Sequence, residues 1–281
     1  MSILVVSFIV CLLVFLGVGV FSASKKQSTS EDYLVASRNV HPWVMALSAV
    51  ATNNSGFMFI GLIGETYAQG LSAMWVMVGW VFGDYLMWLS KIPERIRSYS
   101  GQHGLVTVPA VIGHGVRSSR LIIATAGLLT LVFLSLYAAA QLNAGSKALQ
   151  VLFDWPYEVG AILGAVIVVV YCFAGGIRAS IWTDVMQSIV MFVAMLSLCG
   201  IALYKCGGFS GMWQTLAGID SSLIDWRPPN IKNGFVLFLF GWFFAGAGVI
   251  GQPHIMVRTM TLDNVDNMVA ARGVDDGSLR V

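Results

Sequence analysis

Charge is what this chain has least of. Only 11% of its 281 residues are Asp, Glu, Lys or Arg, against about 25% in a soluble domain. With 57% hydrophobic residues and a mean hydropathy of +0.78, a water-soluble class is excluded and a polytopic all-α membrane protein is predicted. Cysteine is scarce too. Cys11, Cys172 and Cys199 fall inside apolar runs and Cys206 at a helix end. No Cys-x-x-Cys or Cys/His spacing accompanies them, so neither a metal site nor a disulfide framework is expected. A clustered basic face is also missing: the net charge is +2 and the charges are local to loops. Nucleic-acid binding is therefore not expected. Nor does a positive n-region precede the first apolar run, where Lys25 and Lys26 come after it. That run is predicted to be a retained first helix rather than a signal peptide.

What is present is a series of seven apolar segments, at about 3–22, 42–68, 72–90, 119–147, 157–175, 181–205 and 234–257. Gly and Pro punctuate the intervals, as at Pro93, Pro109, Gly175-Gly176, Gly207-Gly208 and Pro228-Pro229. The basic residues orient the series. With the N-terminus outside, Lys25, Lys26, Arg38, Lys91, Arg95, Arg97, Arg117, Arg120, Arg178, Arg258, Arg272 and Arg280 lie inside. Lys147, Lys205, Arg227 and Lys232 lie outside. Twelve against four satisfies the positive-inside rule and predicts an external N-terminus and an internal C-terminus. The 91–118 loop is then cytoplasmic and the 206–233 loop external, where Trp213 and Trp226 suit either an interfacial position or a plain loop contact.

The second segment carries the most informative residues. Thr52, Asn53, Asn54, Ser55 and Gly56 interrupt a stretch that otherwise spans a membrane. Unpartnered amides and hydroxyls cost a few kcal/mol each in hydrocarbon, and Asn and Gly weaken the helix. Such a break is tolerated where backbone lines a protein-enclosed cavity, which in transporters holds substrate and coupling ion. The seventh segment holds Gly241, Gly246, Gly248 and Gly251, then Gln252-Pro253-His254. It reads equally as an unwound helix or as a proline kink with glycine packing. Two interrupted segments separated by four uninterrupted ones match the first members of two five-helix repeats.

Other polar residues at membrane depth have two readings each. Asp184 either caps the start of the sixth segment or faces a cavity and meets a cation. Asp84 pairs with a cation on another helix or serves as a proton or sodium ligand. Glu65 either snorkels to water or has a functional role, and Gln141 and Asn143 either link helices beside the small-residue face Tyr137–Ala140 or contact substrate.

Three motifs then stand in order: Ser48-Ala49-Val50-Ala51 with Ser55-Gly56; Gly175-Gly176-Ile177-Arg178-Ala179 with Trp182-Thr183-Asp184 and Gln187; and Gly251-Gln252-Pro253-His254-Ile255. The chain resembles the sodium:solute symporter family over about 3–271. The resemblance implies a LeuT-like inverted-repeat fold, held here incompletely as an extra first helix, the first five-helix repeat and the first helix of the second. It implies sodium bound by the backbone carbonyls of Ala51 and Asn54, with Asp184 on the ion path, and a solute near Asn53, Phe57, Met58, Tyr137, Ala245, Gly246 and Val249. The sequence departs from the family's proline carriers, which have Asp at the position of Asn53 and large aromatics at Ala245 and Val249. Met58 offers no hydrogen bond to a sugar.

The resemblance also implies at least eleven helices. With seven, and a polar tail from Gly273 unlike the family's next helix, the chain reads as a truncated or frameshifted member or a fragment. The expected layout is a transmembrane domain over 1–258 and a polar cytoplasmic tail over 259–281. The expected function is sodium-coupled symport of a small organic solute across the cell membrane, with no enzymatic chemistry and no cofactor beyond the coupling ion. A sensory-input module of a signalling protein, or a non-functional remnant, is the alternative. Expected partners are the solute, sodium and the lipid bilayer.

Overall fold

A computed structural model describes residues 3–24, 27–229, 231 and 234–271. Every long element among them is a helix; the one β-type pairing is an isolated parallel bridge between Val40 and Leu262. The helices are α1 (Ile3–Ala23), α2 (Ser30–Val35), α3 (Pro42–Asn53), α4 (Leu62–Gln69), α5 (Met74–Leu89), α6 (Ile92–Gln102), α7 (Val108–Gly113), α8 (Ser119–Phe153), α9 (Tyr157–Lys205), α10 (Gly208–Ile219), α11 (Phe235–Ala247), α12 (Pro253–Met260) and α13 (Met268–Ala271). The chain divides into two compact units: Met1–Gly56, Lys91–Ser188 and Gln252–Val281 form the first, and Phe57–Ser90 with Ile189–Gly251 the second.

All seven apolar segments are helical, and the expected interruptions are present. The second segment is α3, a non-helical gap, a π turn over Phe57–Gly61 and α4. The seventh is α11, a 3₁₀ turn over Gly248–Gly251, extended backbone at Gln252 (φ −99°, ψ 102°) and α12. The fifth and sixth segments run together as α9, broken at Gly176 (φ 57°, ψ −144°). Glycine is required there: the conformation is barred to L side chains, and a Cβ would collide with the carbonyl of Tyr33. Among the described residues, four helical stretches are long and apolar enough to cross a membrane, Ile3–Ala23, Phe57–Leu89, Ser119–Phe153 and Cys172–Lys205. The α11–α12 pair, bent by 53° at its break, is either a fifth, broken span or a re-entrant loop, and Tyr157–Val170 is apolar but shorter.

Two intervals read as loops contain helices. In 91–118 lie α6, which starts with Pro93 and Glu94 in its first turn, and α7, which Thr107 caps through its Oγ1 to the Ala110 N–H at 3.3 Å. In 206–233 lies α10. These helices are too short to cross a membrane, so they carry no span signal in the sequence.

In the first unit, α12 packs on α3 and α6. Ahead of α3 the chain makes a left-handed turn with three non-glycine residues, Ala36, Ser37 and Arg38 (φ 50°, 53° and 52°). Each costs about 1–2 kcal/mol, so the turn needs external support. Asp32, whose side chain is 1% exposed, provides part of it, accepting from the Gln27 N–H (2.7 Å), Ser37 Oγ (2.7 Å) and Arg178 Nη2. Arg178 also donates to the Ala36 carbonyl (3.0 Å). Arg38 donates to Ser100 Oγ (3.1 Å), to the Leu105 carbonyl (2.8 Å) and to the Met260 carbonyl (3.3 Å).

Burial alone would raise the Asp32 carboxyl. The hydrogen bonds from Arg178, Ser37 and Gln27 and the Arg178 charge outweigh it and hold the carboxyl below the usual carboxylate range. Beyond the turn, the Val40 N–H donates to Thr261 O and Val40 O accepts from Asp263 N–H, both at 3.1 Å. Arg97 clamps the same strip, with Nε to Leu262 O at 2.6 Å and Nη2 to Asp263 O at 3.1 Å. The expected 258/259 boundary thus falls within α12, and Thr259, Met260, Thr261, Leu262 and Met268 are buried. Residues 272–281, most of the expected tail, lie outside the described residues.

The second unit is built on α5 against α11. Gly79 and Gly83 form a Gly-x-x-x-Gly face on α5, and Gly246 answers from α11. A Cβ at Gly79 would strike Trp242, at Gly83 the Phe243 carbonyl, and at Gly246 the Trp80 carbonyl. This is the close backbone approach that small residues permit in lipid. Trp75 Nε1 donates to the Trp226 carbonyl at 2.7 Å, and its ring meets Phe235 edge-on at 5.0 Å. Trp226 thereby makes the loop contact.

Candidate ion and solute site at the broken helix

The first unit places its polar residues around the end of α3. At Asn54 the backbone leaves the helix (φ −73°, ψ 117°), and its N–H reaches back to the carbonyls of Val50 and Ala51, each at 3.2 Å. Two residues on, the Gly56 N–H donates to Gln141 Oε1 of α8 at 2.6 Å. The side-chain amide therefore supplies the acceptor that the broken helix has lost. A Cβ at Gly56 would collide with Ala144, so α8 approaches as closely as the missing side chain allows. Ser55 hydrogen-bonds Tyr137, also on α8. Sequence reasoning gave Gln141 a linking role but not this partner.

A second polar cluster joins α3, α9 and α12. Asp184 lies eight positions past the Gly176 break, well inside α9, so it does not cap a helix start. Its Oδ2 accepts from Ser48 Oγ (2.7 Å), Thr52 Oγ1 (3.3 Å) and Arg258 Nη2 (2.8 Å). Arg258 also donates through Nε to Ser48 Oγ (2.8 Å), through Nη2 to Ser180 Oγ (3.2 Å) and through Nη1 to the carbonyl of His254. The side chains of Arg258 and Asp184 are 8% and 15% exposed, a buried pair with further hydrogen bonds. In the sequence Arg258 reads as one cytoplasmic charge among twelve; its partner is 74 residues away, beyond any local pattern.

The residues implied by the family resemblance divide between the units. Ala51, Asn53, Asn54, Tyr137 and Asp184 are in the first, all half-buried. Phe57, Met58, Ala245, Gly246 and Val249 are in the second. There Phe57 stacks on Trp242 (6.3 Å, 24°), Val249 is buried at 1% exposure, and Gly246 is a packing position against α5. Asp84 lies on that same α5 face, its backbone beside Gly246. Glu65 accepts from Gln69 within α4.

The donor set at the α3 break is oxygen only. Each carbonyl keeps a second lone pair after accepting one N–H, and hard oxygens suit an alkali cation. Among the described residues no group of three or more His, Cys, Asp or Glu could hold a metal ion.

An apolar all-helical chain with helices interrupted at polar residues has the architecture of secondary carriers. The model of the sodium:solute symporter family matches residues 33–276, and the chain belongs to that family. It is 30% identical over 259 residues to the high-affinity proline transporter PutP of Bacillus subtilis, covering 92% of this chain and 54% of that protein. It is 31% identical over 268 residues to the sodium/proline symporter of Staphylococcus aureus, covering 92% and 50%. Among solved structures, a Na+-coupled sialic acid symporter in a substrate-bound outward-open state matches with a TM-score of 0.76 at 20% identity, over 93% of this chain and 54% of that one. The fold is thus the LeuT-like one that the resemblance implied. The chain spans about half the length of the curated relatives it matches. The family comprises carriers rather than enzymes, with sodium as the coupling ion, and its apolar helices make this an integral membrane protein.

Proposed function

We propose that the protein acts in sodium-coupled symport of a small organic solute across the cell membrane. The observation that carries the reading is the break at Asn54 and Ser55, non-helical backbone in an apolar segment, with Gln141 of α8 accepting from the next N–H, that of Gly56. On this reading the carbonyls of Ala51 and Asn54 bind sodium. Asp184 lies on the ion path, with Arg258 as its counter-charge in the ion's absence. The solute-contacting candidates are the residues that the family resemblance implies: Asn53, Phe57, Met58, Tyr137, Ala245, Gly246 and Val249. Small carboxylic acids such as the proline and sialic acid carried by relatives are the first solutes to try.

The positive-inside count supports an external N-terminus and an internal C-terminus. The transport domain then extends through residue 258, and the segment from Thr259 is cytoplasmic, docked through Val40 and Arg97 before the polar end of the chain. The test is a thermal midpoint of the whole protein against sodium chloride, with choline chloride at equal ionic strength as control. A saturable rise specific to sodium is expected; identical curves in the two salts would refute sodium binding.

A further inference from the structure

His254 is the second residue of α12, and its ring lies on that of Tyr137, with centroids 5.2 Å apart at 36°. Both ring nitrogens are shielded from solvent, and among the described residues neither has a hydrogen-bond partner. An imidazole always has at least one N–H to donate, and a buried donor without an acceptor is disfavoured. The surrounding polar groups are committed elsewhere. Gln141 serves the Gly56 N–H, Tyr137 bonds Ser55, and Arg258 is taken by Asp184, Ser48, Ser180 and the His254 carbonyl. Among the described residues the ring's nitrogens therefore link to nothing, yet the ring borders Tyr137, which bonds Ser55 at the α3 break. It sits in the first turn of α12, where the backbone carries partial positive charge.

We propose that His254 is a solute-contacting residue that sets specificity, its ring N–H donating to a carboxylate of the transported solute. This rests on the carrier reading above. It places the recognition of charge on α12, not on the Asn53 position where the proline carriers differ.

The test uses the whole protein in sodium-containing nanodiscs, with L-proline and N-acetylneuraminate as acid probes. Prolinamide and the N-acetylneuraminate methyl ester are their counterparts without the carboxylate. An acid probe is expected to raise the wild-type thermal midpoint more than its counterpart does. His254→Phe keeps the ring against Tyr137 and is expected to raise the half-saturating concentration of that acid about tenfold or more, with the sodium response unchanged. His254→Gln, which retains a donor, should lose less. Wild-type affinity for the acid in His254→Phe, equal response to acid and counterpart in wild type, or no response to either acid alongside an intact sodium response would each overturn the assignment. Absence of a sodium response in wild type would instead refute the carrier reading.

Discussion

At the residue scale, the account turns on a few polar groups that repair a broken helix. Gln141→Leu removes the acceptor of the Gly56 N–H while keeping side-chain bulk. Leaving that donor unsatisfied is expected to cost about 1–3 kcal/mol, read as a lower thermal midpoint together with weaker sodium stabilisation. A midpoint within experimental error of wild type would mean the gap does not depend on α8. Asp184→Asn leaves the Arg258 guanidinium buried without its counter-charge, expected to destabilise by about 3–5 kcal/mol. A helix cap would have predicted almost no change, because Asn also caps well. Denaturation of both variants at matched expression separates these outcomes. The stretch Thr52–Gly56 was legible in the sequence because polar residues in an apolar run have no other explanation. Gln141 and Arg258 were not, because what they touch is decided by tertiary packing across 85 and 74 residues.

At the element scale, composition and period located every apolar helix and both interruptions. The errors lie where membrane periodicity is silent. The short helices α6, α7 and α10 carry start signals such as Thr107 and Pro109, yet too few apolar residues to register as spans. The Gly-x-x-x-Gly face of α5 was present in the sequence but is only one of many glycine spacings; α11 opposite it gives it meaning. Gly83→Leu drives a large side chain into the Phe243 carbonyl and is expected to cost at least about 1–3 kcal/mol of overpacking. Gly241→Leu on the same helix pair, where a Cβ meets nothing within 4 Å, should be nearly neutral. Equal midpoints for the two variants would contradict the packing.

The left-handed turn Ala36–Arg38 gives a pH prediction. Asp32 has a depressed folded pKa, so it contributes stability above its unfolded value, and that contribution is lost as pH falls through the folded value. Acid should release the turn only below the usual carboxylate range, and Asp32→Asn should flatten that part of the profile. Hydrogen exchange at Val40 and Asp263 across pH 5 to about 2 reads it.

At the scale of the molecule, the seven-segment plan, the membrane class and the family followed from sequence, because lipid imposes a simple rule on composition. The division into two units did not. Its boundaries, at Gly56/Phe57, Ser90/Lys91, Ser188/Ile189 and Gly251/Gln252, fall at the two interruptions, between α5 and α6, and within α9, and nothing in the hydropathy marks α9 for division. The central claim is coupling of solute movement to sodium, and uptake into proteoliposomes carrying the whole protein tests it most directly. L-proline and N-acetylneuraminate would be offered under an inward sodium gradient with the membrane potential set by potassium and valinomycin. The account predicts accumulation that requires sodium and grows with potential, since one charge is worth about 2.3 kcal/mol per 100 mV. Accumulation at the same rate under a proton gradient alone, or indifference to both sodium and potential, would contradict it.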